Sequence, residues 1–496
     1  MTPQRYTGIL CGIAVALTVA LAPALAIGSP PDDDITFWVK VALNGDSHVD
    51  AAGIEVTTDD GVVTLSGTAQ NLATKQYAVQ DAEKINGVIG VVDRVELALG
   101  WRPDFDIVQD VRHRIINNEM IATSWITVVS SNGAVTLTGK VGSWAEKQEA
   151  GIVAVEVRGV RKVNNEITVK YASNRSAKDI KEDVEAKLDL DTYLNGLPVS
   201  VTVKDGVVTL SGTVGNEFER DRAEREVRYL AGVSDVKNDL KVEWWENRGA
   251  RTSRPKTPSD SELRKRVTST IERDSRINAS KVDVDASHGH VTLTGSVPFM
   301  YEKRIAEDDA TNTIGVAWVT NDLLVTGVHR EDNAILTDVH SNLDSDYLLG
   351  GMDIATRVHH GTVTLTGDVA TKWERQHAED LITRVPGVKK IRNHLKVDRN
   401  QFSDDALTRR ITSRLSRNWI TAPVREKIDV NVKGGVVTLI GEVDTWAERT
   451  EAAQIALHTP GVWSVHDVLA VHGVPYPWDE WDEEILVFEP YYSIWP

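Results

Sequence analysis

The sequence predicts an α+β protein made of six tandem copies of one small α-β-β-α-β domain, each a three-stranded mixed sheet with two helices on one face. Three observations predict it. A seven-residue motif, Gly-x-Val-Thr-Leu-x-Gly, occurs six times, a second glycine always follows 26 positions after the first, and the spacing of apolar residues changes from strand-like to helical across each copy. The motif glycines are Gly61 and Gly67, Gly133 and Gly139, Gly206 and Gly212, Gly289 and Gly295, Gly361 and Gly367, and Gly435 and Gly441.

The first motif glycine of each copy is predicted to close a turn between two strands. It follows Asp60, Asn132 and Asp205 in the first three copies. An Asn or Asp before Gly is typical of a hairpin loop, in which glycine adopts a positive φ without steric cost. Apolar and polar residues alternate on both sides of the turn, as from Val199 to Val203, which is the period of a half-buried strand.

A helix is predicted after the closing glycine, as over Trp144 to Val157 and Trp373 to Thr383. An alanine lies nine residues before the second glycine in every copy and lets the helix approach the sheet closely. These alanines are Ala78, Ala150, Ala223, Ala306, Ala378 and Ala452. The second glycine, as at Gly87, is followed by Val each time and is predicted to cap the helix.

A closing strand and a leading helix complete the repeated unit. The strand is predicted over stretches such as Asn238 to Val242 and Asn393 to Val397, and the leading helix over stretches such as Ala177 to Leu188. A short polar residue lies six positions after the second glycine: Asp93, Asn165, Asn238, Asn321, Asn393 and Asp467. Because βαβ crossovers are right-handed and alternation leaves one strand face polar, both helices are expected on the same face of the sheet.

The repeated unit resembles the BON domain, the bacterial osmotically inducible and nodulation domain of envelope proteins. The Val-Thr-Leu strand, the Gly-Val pair and the closing strand carry the resemblance, together with an aromatic residue that opens the second helix in four copies: Trp144, Phe218, Trp373 and Trp446. The first copy has Leu72 in that region, and the fourth begins its helix with Pro298 to Tyr301. The resemblance implies small periplasmic, non-catalytic domains that associate with phospholipid membranes or envelope partners, with no catalytic residue and no cofactor.

The repeats set the expected domain boundaries. First glycines are 72, 73, 83, 72 and 74 residues apart, so the longest gap marks a linker between two triplets of domains. We expect a signal peptide (1–26), BON-like domains at 33–99, 104–172, 176–245, 259–327, 331–398 and 403–472, a linker (246–258) and an acidic aromatic tail (473–496). These spacings favour tandem globular domains over a continuous solenoid.

The first residues are interpreted as a secretory signal rather than as part of the fold. Arg5 precedes an apolar run from Ile9 to Leu25, and the small residues up to Ala26 offer a cleavage site. The alternative is an uncleaved anchor in the inner membrane, since Gly8 to Ile27 is long enough to span a bilayer. The single cysteine, Cys11, lies in this segment, so the mature chain has neither disulfides nor a catalytic thiol. A periplasmic location fits best.

Net charge limits the partners. The chain carries a formal charge of −18, which disfavours binding to nucleic acids and opposes anionic lipid headgroups. Any contact with an anionic phospholipid surface therefore requires a local basic patch. The candidate is the first helix of the sixth copy, with Arg409, Arg410, Arg414, Arg417 and an exposed Trp419, although a solvated charged face is the simpler interpretation.

No catalytic or metal-binding pattern is present in the sequence. The histidines around Gly289 (His288 and His290) and before Gly361 (His359 and His360) have no nearby cysteine, so exposed turns explain them better than a metal site. The tail after residue 472 is acidic and aromatic, and it is expected to fold over the sixth domain or to dock on another protein.

The sequence therefore favours a non-enzymatic periplasmic protein that binds membranes and supports the envelope, for example under osmotic stress. The alternative is a scaffold for envelope proteins or the cell wall that uses six modules for avidity. Both hypotheses expect adhesion through outer surfaces, and neither expects polar side chains to converge in a deep closed cleft.

Overall fold

The computed structural model describes residues 30–46, 49–121, 125–170, 175–243, 258–397 and 402–471. Within these ranges the chain forms six domains of one architecture, numbered one to six in chain order. The expected signal peptide, residues 246–257 of the expected linker, and the expected tail lie outside the described residues.

Each domain contributes two helices. The first helices are α1 (Asp32–Gly45), α3 (Asp104–Ile116), α5 (Ala177–Leu190), α7 (Asp260–Arg273), α9 (Asp332–Ser345) and α11 (Asp404–Arg417). The second helices are α2 (Leu72–Glu83), α4 (Trp144–Val155), α6 (Glu217–Arg228), α8 (Met300–Thr311), α10 (Lys372–Thr383) and α12 (Trp446–Leu457).

Each domain also contributes one sheet, whose second strand lies between the other two. The first strands are β1 (Ile54–Asp59), β4 (Ile126–Ser131), β7 (Val199–Lys204), β10 (Val282–Ser287), β14 (Ala355–His359) and β17 (Ile428–Lys433). The second strands are β2 (Val62–Ala69), β5 (Ala134–Val141), β8 (Val207–Val214), β11 (His290–Val297), β15 (Thr362–Val369) and β18 (Val436–Val443). The third strands are β3 (Gly90–Leu97), β6 (Lys162–Val169), β9 (Asp235–Val242), β12 (Trp318–Asn321) with β13 (Leu324–Val325), β16 (Lys390–Val397) and β19 (Ser464–Val471).

The strand pairing confirms the predicted α+β class with mixed sheets. The second strand runs antiparallel to the first and parallel to the third, as in Val56 opposite Leu65 and Leu65 opposite Asp93. Both turn residues of the first hairpin have positive φ, 47° at Asp60 and 78° at Gly61, which is the hairpin geometry that an Asp-Gly pair favours. Domain four differs because its third strand is broken into β12 and β13.

The repeated alanine is fully buried in all six domains, together with the Val and Leu of the motif. In domain one, for example, Ala78 packs in one cluster with Val63 and Leu65 of β2 and with Ile35 and Val39 of α1. The core of each domain therefore lies between the sheet and its two helices, with the motif strand at the centre of the sheet.

The second glycine does not cap the helix as predicted. Helix α2 ends at Glu83, and Gly87 follows in a turn in which the Val88 amide donates to the Ile85 carbonyl at 3.1 Å. Gly87 has a φ of +92°, and this positive value favours glycine at the position. The conformation directs the chain from the turn into the third strand. The loop before this glycine is also where domains meet, as described below.

The recurrent polar residue of the third strand ties the strand to the second helix. Asn393 Nδ2 donates to the Arg375 carbonyl at 2.7 Å, while its Oδ1 accepts from the Leu395 amide at 3.2 Å. Where the residue is Asp, an ion pair replaces the amide contact, at 3.0 Å between Asp93 and Lys75. Both variants hold the helix against the sheet.

An aspartate at the start of the first helix accepts hydrogen bonds from the hairpin turn. In domain one, Asp32 accepts from the amides of Asp60 and Gly61, both at 2.9 Å. Asp332 makes the same contacts in domain five, and the amides of Gly361 and His360 lower the pKa of its carboxyl. These acidic residues therefore anchor the helix to the hairpin, in addition to favouring a helix N-terminus.

Candidate functional site

The two triplets of domains pack against each other in three pairs: domain one with six, two with five, and three with four. In the pair of domains three and four, short backbone bridges join Asp191 to Thr313 and Leu230 to Asp274. Each bridge joins the loop after the first helix of one domain to the loop after the second helix of the other. The two contacts are therefore reciprocal.

The same loops meet in the other two pairs. Val157 bridges to Asp346 between domains two and five, and the Glu119 amide donates to the Arg384 carbonyl at 3.2 Å. Ile85 bridges to Asn418 between domains one and six. The loop that carries the second glycine thus serves as a domain contact in all three pairs.

Buried charges reinforce these contacts. Arg114 of domain two donates to the Asn342 carbonyl at 2.6 Å and lies 3.4 Å from Asp346, both in domain five. His377 Nε2 lies 3.0 Å from the same Asp346 carboxylate. Burial opposes the charged imidazole, but Asp346 outweighs it and raises the pKa of His377. The pair of domains two and five therefore holds a compensated charge cluster in its interior.

The second helices of the six domains surround a central cavity of about 180 Å³. Every domain contributes to its wall, for example with Gln80, Glu149, Arg225, Arg304, Arg384 and Gln454. This arrangement overturns the expectation that polar side chains do not converge in an interior cleft. Charged side chains of the second helices line this cavity, and several of them pair with residues of other domains.

Most charges on the cavity wall are paired. Arg304 of domain four lies 2.5 Å from Asp380 of domain five, and Arg384 lies 3.1 Å from Glu149 of domain two. Lys187 joins Asp309 at 2.9 Å across domains three and four, yet burial still raises the pKa of Asp309 to about 7. The pairing compensates for removing these groups from water.

A second candidate site is an open groove on the surface, between α1 of domain one and α11 of domain six. Phe37 and Lys40 line one side, and Arg409 and Arg410 line the other. The Phe37 side chain is 54% exposed. This groove places an apolar ring among three cations at the surface.

The groove contains only part of the site that the sequence predicts. Arg409 is exposed, Arg410 lies over the Phe402 ring at 3.9 Å, and Arg417 lies over the Phe37 ring at 5.2 Å. Arg414 also borders the groove but is only 8% exposed; it pairs with Asp46 at 3.2 Å.

The expectation that Trp419 is exposed is wrong. Its side chain is 6% exposed and packs with Ile420 in the core cluster of domain three, beside residues such as Tyr193. The segment that follows α11 therefore enters a domain interface instead of facing solvent.

Sequence reasoning missed Phe37, Lys40, Arg225 and Gln454. None of these residues occupies a position that the repeat pattern marks as unusual. Residues of other domains line the same groove or cavity. No pattern within one copy could have identified them.

The described ranges contain neither a metal-binding cluster nor a membrane-spanning helix. No group of three or more His, Cys, Asp or Glu residues lies close enough there to hold a metal ion. No helix in the same ranges has the length and apolar character needed to cross a bilayer.

Six packed α-β-β-α-β domains define a multidomain repeat protein, and comparison with known proteins identifies the repeat. The BON domain family model matches residues 31–98, 103–171, 176–243, 259–327, 331–399 and 403–473. The chain belongs to the BON domain family.

Two curated relatives are similar over part of the chain. Osmotically-inducible protein Y of Escherichia coli is 32% identical over 197 residues, which is 38% of this chain and 94% of that protein. Outer membrane lipoprotein DolP of Haemophilus influenzae is 30% identical over 138 residues, which is 27% of this chain and 71% of that protein. Among solved structures, CdsD, a structural protein of the type III secretion system of Chlamydia trachomatis, is 16% identical with a TM-score of 0.12, and the match covers 42% of this chain and 92% of that one.

Proposed function

We propose that this protein is a non-catalytic periplasmic protein that associates with anionic phospholipid surfaces and supports the envelope under osmotic stress. Its family and the names of two relatives, one osmotically inducible and one an outer membrane lipoprotein, support this proposal. The expected signal peptide at 1–26 supports export.

The groove between α1 and α11 is the observation that carries the proposal. Lys40, Arg409 and Arg410 line it, and Phe37 is exposed among them. Basic groups attract phosphate headgroups, while an exposed ring is suited to the interface between headgroups and acyl chains. Since the whole chain carries a charge of −18, such a patch is needed for attraction to an anionic surface.

Sedimentation with phosphatidylglycerol vesicles tests the proposal. Each basic residue near an anionic surface contributes about 1 kcal/mol, so Arg409→Ser with Arg410→Ser is expected to weaken binding by about 30-fold. Arg414 is left unchanged because its buried ion pair would confound binding with stability.

A matched control is available in domain four. Arg264 and Lys265 are exposed on α7, the equivalent first helix, and changing both to Ser removes the same charge elsewhere. Binding that is unchanged in the Arg409/Arg410 variant, equal on phosphatidylcholine vesicles, or insensitive to high salt would contradict the proposed mechanism.

A scaffold that binds envelope proteins or the cell wall is the alternative. Domain two favours it, because Trp101, Phe105 and Trp125 are 86%, 70% and 79% exposed. Exposed aromatic side chains are common anchors at protein interfaces. Capture of an envelope protein that requires these three side chains, with no vesicle binding by the wild type, would favour the scaffold.

A further inference from the structure

The central cavity contains a polar side chain without a partner. Gln454 is 6% exposed and lies on the cavity wall, yet neither its amide oxygen nor its amide nitrogen makes a hydrogen bond within the described residues. Buried amides nearly always have partners, because leaving both groups unsatisfied is costly. An unsatisfied amide that faces a cavity suggests that a guest supplies the missing contacts.

One cation on the wall also lacks a carboxylate within ion-pair distance in the described residues. Arg225, half-buried on α6, makes no ion pair or hydrogen bond within the part of the chain that the structure describes. The other wall cations lie within 4 Å of a carboxylate, in the pairs Lys84–Glu451, Arg222–Asp191, Arg276–Asp274, Arg304–Asp380 and Arg384–Glu149. Glu226, Asp221 and Glu83 act on Arg225 from a greater distance, so its guanidinium is the wall cation that is left without a direct carboxylate contact in the described residues.

The size of the cavity limits the guest to a small molecule. A dry cavity of about 150 Å³ accepts benzene, so the 180 Å³ available here is enough for one six-membered ring with substituents. The wall is rich in groups that donate or accept hydrogen bonds, including Gln80, Asn312 and Thr383. A hydroxylated guest fits such a wall better than a hydrocarbon, because each hydroxyl both donates and accepts.

We infer that the central cavity binds a polyhydroxylated anion of monosaccharide size, whose single carboxylate or phosphate group pairs with Arg225 and whose hydroxyl groups hydrogen-bond to Gln454. The site is distinct from the surface groove and uses side chains from all six domains. It gives the packing of the six domains a role that separate domains cannot perform.

A route into the cavity follows the contact between domains one and six. Lys84, Glu451 and Gln454 also line a smaller space of about 40 Å³ at this contact. The opposite side of that space includes Val41 and Arg414, which border the surface groove. The three spaces thus follow one another along this domain contact, each sharing lining residues with the next.

Titration calorimetry of the full mature chain with glucuronate, glucose 6-phosphate and glucose tests the inference. At least one of the two anions is expected to bind with one site per chain, and glucose at least tenfold more weakly. The two anions distinguish a carboxylate site from a phosphate site. Arg225→Gln is expected to weaken binding of the preferred anion at least tenfold, and Gln454→Leu about threefold or more.

Arg220→Gln provides the matched control, because Arg220 lies on the same helix but pairs with Glu217 outside the cavity wall. This variant is expected to bind like the wild type. Failure of both anions to bind, equal binding of glucose, or undiminished binding by the Arg225→Gln and Gln454→Leu variants would overturn the inference. Vesicle binding is measured in a separate experiment. Failure of the cavity to bind an anion is therefore distinguishable from failure of the protein to bind vesicles.

Discussion

The middle and the last turn of helix α11 carry arginines in opposite surroundings. Arg409 and Arg410 border an open groove, whereas Arg414 lies buried between domains one and six and donates to the Gly45 carbonyl at 2.9 Å. Trp419 follows the helix into the core of domain three. A single basic stripe in sequence is thus divided between a solvent-facing patch and a domain interface.

The comparison shows that charge alone does not indicate exposure in a repeat protein. The surface arginines are available to a ligand and contribute little to folding, whereas Arg414 holds two distant domains together. The same division separates the outer groove from the central cavity, where most cations are paired with a carboxylate, either in their own domain or in another.

The largest expected effect comes from Arg414→Ala. The substitution removes the buried ion-pair partner of Asp46 and a donor to the Gly45 carbonyl, and it is expected to lower the free energy of unfolding by about 3–5 kcal/mol. Chemical denaturation measures the change. The exposed control, Arg409→Ala, is expected to stay within about 0.5 kcal/mol of the wild type. Equal losses in both variants would remove the distinction between the exposed and the buried arginines of the helix.

Trp419→Ala is the next largest expected change, with a loss of about 3 kcal/mol because a large buried side chain leaves a cavity. The loss is expected in denaturation experiments with or without vesicles. A variant that keeps full stability but loses vesicle binding would show that Trp419 faces the membrane.

A pH-dependent effect extends the comparison to a carboxyl group. Glu83 is buried at the end of α2, which contacts α6 of domain three; burial, followed by Asp221 and Glu217, raises its pKa from 4.5 to about 8. The folded state therefore binds more protons than the unfolded state between these two values. Stability falls as the pH rises through this window, by at most about 1.4 kcal/mol per pH unit.

Glu83→Gln is expected to remove this slope. The variant gains stability relative to the wild type as the pH rises from 5 to 8, approximate limits taken from the proton-binding window. Thermal denaturation across that range measures the difference, with the exposed Glu96→Gln as a control that leaves the slope unchanged. If the stability of the wild type and of Glu83→Gln changes with pH in the same way, Glu83 is not a buried carboxyl with a raised pKa.

Much of each domain could be predicted from its residues because local rules repeat in every copy. Asp60 and Gly61 specify a hairpin, and Ala78 specifies a close contact between helix and sheet. The sequence correctly indicates that the second glycine follows the helix, but its predicted role as a helix cap is wrong, since Gly87 lies in a separate turn after Glu83. A positive φ is common to both settings, so the residue type alone cannot distinguish them.

The candidate sites could not be predicted in the same way. Phe37 and Arg409 face one groove although they are far apart in sequence, and the cavity that Gln454 lines is also lined by residues of the five other domains. Their proximity depends on which domain surfaces complement each other. That information is distributed over many interface residues and has no fixed spacing along the chain.

The sequence by itself determined the number of domains, the order of elements within each, and the residues at the centre of each sheet, because these follow from backbone conformations and periodicities that span only a few residues. Only the tertiary structure decided that domains one, two and three pair with six, five and four, which arginines become buried, and that a central cavity forms. These outcomes depend on packing and charge compensation between segments separated by more than a hundred residues, for which no local rule exists.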